Sequence, residues 1–127
     1  MRTKILGRTG IELPIVGLGA ANLGLPSQAS AYFQHVDNPR HESFADVTAA
    51  VATVHEAVQH GIRLVDTAPK YCYGDSERAI RRAWDELPDL VAKALVTTKV
   101  GLIYEGDGFD YSYDAAMKCV QGSMERL

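Results

Sequence analysis

The stretch Asp66-Thr-Ala-Pro-Lys-Tyr71-Cys-Tyr-Gly-Asp-Ser-Glu77 decides the fold of this chain. It follows the apolar segment Ile62-Arg-Leu-Val65, which predicts a short buried strand, and it leads into a segment with helical spacing of apolar residues. Asp66 therefore closes a strand, and Tyr71 lies in the loop that precedes a helix. In parallel α/β proteins, functional residues gather where strands are followed by helices.

Similar strand and helix patterns lie on both sides of this stretch. Residues 43–60 predict a helix with Ser43 and Asp46 as the N-terminal cap signal and Gly61 as the stop. Its apolar face comprises Val47, Ala50, Val51, Val54 and Val58. Residues 15–19 predict an earlier strand, and residues 94–100 predict a later one.

Two further helices complete the alternation. Asp75 or Ser76 is expected to cap the helix after the decisive stretch, and Pro88 is expected to end it. The last helix is expected to begin near residues 112–114. The apolar faces of these two helices are Ile80, Ala83, Trp84 and Leu87 for the first, and Met117, Val120, Met124 and Leu127 for the second.

The N-terminal region predicts a hairpin over residues 3–14, and residues 20–43 predict a long loop. The alternation that follows implies parallel strands joined by right-handed crossovers. The expected fold class is therefore α/β, with an N-terminal hairpin and three parallel βα units.

Composition excludes several classes of function. At 127 residues, with 46% hydrophobic residues, 23% charged residues and a net charge of −3, the chain is expected to form at most one domain, without the basic cluster that nucleic-acid binding requires. No apolar run reaches the ~20 residues that span a bilayer, and no signal-peptide core is seen, so a soluble cytoplasmic protein is expected. Cys72 and Cys119 fit no metal spacing and are expected to be reduced thiols.

Three residues could act together on protons. Asp66 and Lys99 close strands that are expected to be neighbours, ~4.8 Å apart, so their side chains can meet. Tyr71 lies in the loop above Asp66, and Tyr73 is a competing phenol in the same loop. A free phenol has a pKa near ~10, and a nearby lysine cation favours the phenolate and makes it a better acid–base group.

The chain resembles the N-terminal part of the aldo-keto reductases from about Thr3 to Leu127. The matching segments are Leu6-Gly-Arg-Thr-Gly10, Leu13-Pro14, Gly17-Leu-Gly19, the Asp66 to Glu77 stretch, Thr97-Thr-Lys99 and Ser123-Met-Glu-Arg-Leu127. The residue sequence of the Asp66 stretch is most similar to that of branches of the family that oxidise free sugars or pyridoxal. The long loop after Gly17-Leu-Gly19 does not fit a Rossmann fingerprint, which would enter a helix at once.

The resemblance implies a fold, a reaction and a set of site residues. The family fold is an eight-stranded (β/α) barrel, and its reaction is NAD(P)-dependent hydride transfer between an aldehyde, ketone or sugar lactol and the alcohol or lactone. NADP is the expected cofactor, with NAD as the alternative, and the substrate is a small carbonyl compound or sugar. The implied catalytic residues are Asp66, Tyr71 (favoured over Tyr73 by the family spacing) and Lys99, and the implied cofactor-binding residues are Gly19, Ala20, Ala21 and Asp66.

The chain also departs from the family pattern. Cys72 replaces the glycine that usually follows the catalytic tyrosine, and the fourth catalytic residue, a histidine after the fourth strand, has no matching position. His35 and His41 are weak candidates to replace it. Because such a barrel needs ~250 residues, the domain over residues 1–127 is expected to be truncated before the fourth strand. The alternatives are a non-catalytic cofactor-binding or regulatory subunit of the same fold and an inactive gene fragment.

Overall fold

The computed structural model describes residues 1–23, 46–101 and 108–127. The strands are β1 (Thr3–Ile5), β2 (Glu12–Pro14), β3 (Leu18–Gly19), β4 (Leu64–Asp66) and β5 (Leu95–Thr97). The helices are α1 (Val47–Gln59), α2 (Asp75–Glu86), α3 (Pro88–Val91) and α4 (Tyr113–Arg126), and a short 3₁₀ turn, Tyr71–Gly74, joins β4 to α2. Among these described residues, none of the helices combines the length and the apolar character needed to cross a membrane.

The strands form two sheets, as the sequence predicts. β1 and β2 pair as an antiparallel hairpin, and β3, β4 and β5 form a parallel sheet in that order. Gly19 pairs with Asp66, and Asp66 pairs with Thr97, so the carboxyl ends of all three strands meet at one edge. The parallel α/β arrangement is therefore confirmed, although each strand is shorter than its apolar segment suggested.

The hydrophobic core lies between this sheet and the pair α1 and α2. The predicted face of α1 is confirmed, because Ala50, Val51, Val54 and Val58 are buried against Val65 of β4 and against Ala79, Ile80 and Ala83 of α2. Burying one such valine fully is worth about 1.5–3 kcal/mol. Asp46 caps α1 by accepting a hydrogen bond from the Ala49 amide at 3.0 Å. Ser43 and most of the predicted loop lie outside the described residues.

The predicted N-cap of α2 was wrong, whereas its predicted end at Pro88 is confirmed. Its N-cap is Gly74, in the left-handed conformation with φ of 86°, and no side chain caps the helix. The Ser76 hydroxyl instead donates to the Ala20 carbonyl and hydrogen-bonds the Thr67 hydroxyl, because the residue is buried against the strands. α2 ends at Glu86, with Leu87 as its C-cap directly before Pro88, and Pro88 begins α3, as a proline can in the first turn of a helix.

The last helix begins where the sequence predicts but packs with a different face. Ser112 caps α4 by accepting a hydrogen bond from the Ala115 amide at 3.3 Å. Three residues of the predicted apolar face, Met117, Val120 and Met124, are exposed, and Met124 keeps 75% of its surface accessible; only Leu127 of that face packs against the core. The buried side instead carries Ser123, and Arg126 is only 18% exposed, because both side chains bind Glu77 of α2. Polar contacts therefore set the rotation of this helix.

Candidate active site

Asp66 and Lys99 meet at the carboxyl edge of the parallel sheet. Asp66 is the last residue of β4, and Lys99 follows β5 by two residues. The Lys99 ammonium donates to Asp66 Oδ2 at 2.8 Å and to the Thr67 carbonyl at 2.9 Å, while the Thr97 hydroxyl donates to Asp66 Oδ1 at 2.9 Å. Both carboxylate oxygens of Asp66 therefore have a donor from the neighbouring strand, which fixes the side chain over the sheet edge.

Tyr71 completes the predicted group of three. Its ring lies beside Lys99, with 4.7 Å between the Lys99 Nζ and the ring centroid, a distance at which a cation and an aromatic face attract each other. The backbone turns sharply after β4, and the Tyr71 amide donates to the Ala68 carbonyl at 3.1 Å. The structure thus brings together the carboxylate, the ammonium and the phenol that the sequence pattern selects, with the phenol half-buried.

Hydrogen bonds keep the Asp66–Lys99 pair ionised. The hydrogen bond from Lys99 lowers the pKa of the Asp66 carboxyl; partial burial opposes it, and the hydrogen bond from Thr97 and the charge of Lys99 lower the pKa further. Partial burial lowers the pKa of Lys99, but hydrogen bonds with Asp66 and Tyr71 outweigh it and leave that pKa raised. The two side chains are 48% and 45% exposed, so solvent screens their attraction and the pair adds little stability.

The loop between Tyr71 and α2 takes a strained path. Cys72 and Tyr73 have φ of 50° and 53°, in the left-handed region that costs a non-glycine residue about 1–2 kcal/mol. Cys72, which replaces the glycine usual in the family, therefore occupies a conformation in which a glycine would be unstrained. Its buried thiol makes weak contacts of 4.0 and 3.8 Å with the carbonyls of Ala21 and Leu23, and burial raises its pKa to about 11.

The predicted cofactor-binding residues Gly19 and Ala20 differ in their exposure. Ala20 is fully buried, its amide donates to the Asp66 carbonyl, and its carbonyl accepts from Ser76. Both of its backbone polar groups are thus used within the protein. Gly19 is exposed beside Asp66, and among the described residues a side chain built there would meet no atom within 4 Å.

Sequence reasoning missed Glu77 as a central residue of this region. It is fully buried and accepts hydrogen bonds from Thr98 and Ser123 at 2.7 Å and from Arg126 Nε at 2.6 Å. The available signal was helical spacing, because Glu77 lies three residues before Ile80 on the apolar face of α2. A carboxylate on a buried face requires partners.

His35 and His41, the weak candidates for the missing imidazole, lie outside the described residues.

Comparison with known proteins identifies the family of the chain. A sequence model described as the aldo/keto reductase family matches residues 17–127, and the chain therefore belongs to that family. L-galactose dehydrogenase from Arabidopsis thaliana is 35% identical over 98% of this chain, which spans 34% of that protein. NADH-specific methylglyoxal reductase from Escherichia coli strain K12 is 33% identical over 85% of the chain and 29% of its own length.

Two other relatives extend the comparison. Pyridoxal 4-dehydrogenase from Microbacterium luteolum is 28% identical over 98% of the chain and 39% of its own length, so the resemblance to sugar and pyridoxal branches is confirmed. The solved glycerol dehydrogenase of Gluconobacter oxydans superposes with a TM-score of 0.73 at 29% identity, covering 98% of this chain and 35% of that one. The chain spans about one third of the length of the curated relatives that it matches.

Proposed function

We propose that this chain carries the proton-transfer residues of a nicotinamide-dependent oxidoreductase that interconverts a carbonyl group and an alcohol. The observation that carries the proposal is the contact of Lys99 with both Asp66 and Tyr71 at the carboxyl edge of the parallel sheet. Membership of the aldo/keto reductase family supports the same reaction class. A catalytic role is favoured over a purely regulatory one, because the relatives are named as dehydrogenases and a reductase.

The three residues have distinct roles in this proposal. When a hydride reaches the carbonyl carbon, negative charge develops on the oxygen, and Tyr71 donates a proton to it; in the oxidation direction, Tyr71 accepts that proton. Lys99 stabilises the phenolate that remains, and Asp66 holds Lys99 charged and oriented through the 2.8 Å hydrogen bond. Loss of either charged residue should therefore weaken Tyr71 as an acid–base group.

The cofactor proposal follows from the residues around Asp66. A nicotinamide cofactor, when bound, supplies or accepts the hydride. Gly19, Ala21 and Asp66 would hold its ring, and Ala20 would fix the path of the backbone between them. NADP is the proposed form and NAD the alternative, which is supported by the NADH-specific name of the related methylglyoxal reductase.

The wider fold and the substrate are proposed from the relatives. The hairpin of β1 and β2 and the three parallel strands with their helices correspond to the first part of a (β/α)8 barrel, with the site at the carboxyl end of its strands. The substrate is proposed to be a free sugar or a small carbonyl compound, since relatives are named for L-galactose, methylglyoxal and pyridoxal.

Replacing Tyr71 with phenylalanine tests the proposal. Tyr71→Phe removes the proton donor and keeps the ring, so turnover should fall by about 10²–10⁴-fold, the usual contribution of general acid–base catalysis. The Tyr73→Phe variant is the matched control, because it removes a phenol from the same loop and should keep turnover within about twofold of the original protein. Turnover is followed by nicotinamide absorbance with aldoses, methylglyoxal and pyridoxal as substrates, and cofactor binding by fluorescence titration.

Two results would contradict the proposal. Retained turnover in Tyr71→Phe would remove the assigned proton donor. Tight cofactor binding by the unaltered protein, without turnover of any of these substrates, would instead support a regulatory cofactor-binding role.

A further inference from the structure

Glu77 joins three elements of the fold through hydrogen bonds that the proposed reaction does not use. Its Oε1 accepts from the Thr98 hydroxyl after β5 and from the Ser123 hydroxyl of α4, both at 2.7 Å. Its Oε2 accepts from Arg126 Nε at 2.6 Å. The carboxylate itself is fully buried; its bond with Ser123 is buried as well, whereas the bonds with Thr98 and Arg126 are partly buried.

Thr98 lies between two residues that bind Asp66. Thr97 and Lys99 both donate to the Asp66 carboxylate, whereas Thr98 donates to Glu77 in the helical layer. Successive side chains of an extended chain point to opposite faces, so fixing the middle residue on one face turns its two neighbours to the other. Lys99 follows the last paired residue of β5, and the ladder hydrogen bonds no longer fix its direction.

We propose that Glu77 is a positioning residue that, by binding the Thr98 hydroxyl, directs Lys99 towards Asp66 and Tyr71. This inference rests on the proposed function, because it assigns Glu77 a role in the same proton-transfer group. Arg126 supplies the compensating charge that allows a carboxylate to remain buried at this position. The inference adds to the site a residue in the helical layer, on the face of the strand opposite to the one on which Thr97 and Lys99 bind Asp66.

Two hydroxyls that bind the same oxygen offer a matched pair of variants. Thr98→Val removes the hydrogen bond between Glu77 and the segment that carries Lys99. Ser123→Ala removes a hydrogen bond of equal length between Glu77 and α4. We expect Thr98→Val to lower kcat about tenfold, with KM changed less than about twofold, because misplacing a catalytic group by a fraction of an ångström costs this much. Ser123→Ala should leave kcat and its pH profile unchanged, and Thr98→Ser should restore both.

A second measurement does not depend on turnover. Titration of Lys99 followed by ¹⁵N NMR reports the contact with Asp66, which raises the pKa of Lys99 in this structure. Thr98→Val should move that pKa back towards its ordinary value, and Ser123→Ala should not. Urea unfolding of each variant shows whether it is folded under the conditions used.

The outcomes separate the inference from the proposed function. Equal effects of Thr98→Val and Ser123→Ala on kcat and on the Lys99 titration would reduce Glu77 to a structural role and overturn the inference. Unchanged behaviour of Thr98→Val would overturn it as well. An unaltered protein without turnover, with the Lys99 titration shifted only in Thr98→Val, would contradict the proposed function and leave the positioning of Lys99 supported.

Discussion

The buried pair formed by Glu77 and Arg126 predicts a large loss of stability when Glu77 is replaced by glutamine. Glutamine keeps the shape and one acceptor oxygen for the hydroxyls of Thr98 and Ser123, but it places an amide NH₂ or a neutral oxygen opposite the guanidinium. Glu77 has no exposed surface and Arg126 is 18% exposed, so the remaining cation is largely cut off from water. Removing one partner of a buried pair costs about 3–5 kcal/mol.

The expected magnitude lies near the lower end of that range. Arg126 is the last residue of α4 and is partly exposed, so its guanidinium can turn partly towards solvent. A loss of about 3 kcal/mol, with a urea dependence of about 1–3 kcal/mol per molar, lowers the unfolding midpoint by roughly 1–3 M. Equilibrium unfolding of the purified protein, followed by circular dichroism, measures this shift directly.

The same helix offers a matched control for Glu77→Gln. Glu86 forms a 2.7 Å pair with Arg82 on the surface of α2, and the two side chains are 42% and 53% exposed. Because such a pair contributes only about 0.3–0.5 kcal/mol, Glu86→Gln should barely move the midpoint. A double variant of Glu77→Leu with Arg126→Met should regain much of the loss, since it leaves no buried charge. Equal small shifts for Glu77→Gln and Glu86→Gln would refute the reasoning.

Two further predictions concern the candidate site. Asp66→Asn should lower turnover more than tenfold but change the free energy of unfolding by less than about 1 kcal/mol, because the pair with Lys99 is half exposed. The pKa of the Asp66 carboxyl is lowered in the folded protein, so this small contribution to stability is complete above pH 3.8 and is lost as pH falls through the lower folded pKa. The urea midpoints of the original protein and Asp66→Asn should therefore converge only in strong acid. Cys72 should resist iodoacetamide in the native protein, since with a pKa of about 11 only about one thiol in a thousand is ionised at pH 8. Mass spectrometry should find Cys119 labelled first, and rapid labelling of native Cys72 would show that the turn after Tyr71 is open.

The parallel sheet and the meeting of Asp66 with Lys99 could be predicted from the sequence because both depend on local patterns. Apolar segments of four to seven residues marked each parallel strand, and the positions of Asp66 and Lys99 at the ends of two of these segments placed both residues at a common edge. Adjacent parallel strands then bring such residues within reach of each other. The face of α1 was equally predictable, since valine and alanine at helical spacing have no polar alternative.

The start of α2 could not be predicted because it depends on backbone conformations that residue type disfavours. Cys72 and Tyr73 are both left-handed, and these two conformations carry the chain into Gly74 as the N-cap. The cap signals of Asp75 and Ser76 were misleading for a tertiary reason. Ser76 is drawn into hydrogen bonds with Thr67 and Ala20, which no local pattern encodes.

The rotation of α4 shows why apolar spacing alone can choose the wrong face. Met117, Val120 and Met124 form a clear stripe, yet the described structure buries the side of the helix that carries Ser123. A buried carboxylate left without donors is costly, so the demand of Glu77 for hydrogen-bond partners favours the orientation that brings Ser123 and Arg126 to it. A polar residue on an apolar face is thus a stronger constraint on packing than the apolar residues beside it.

The same reasoning explains why donor side chains follow one another in Thr97-Thr-Lys99. Each of these three residues donates a hydrogen bond to a carboxylate, and the acceptor alternates from Asp66 to Glu77 and back to Asp66. Alternation is what an extended chain provides, and threonine suits it because a β-branched residue favours the strand while its hydroxyl supplies the donor. A valine at either threonine would keep the strand and lose the donor. The direction of Lys99 therefore depends on donors along the strand as well as on the strand itself.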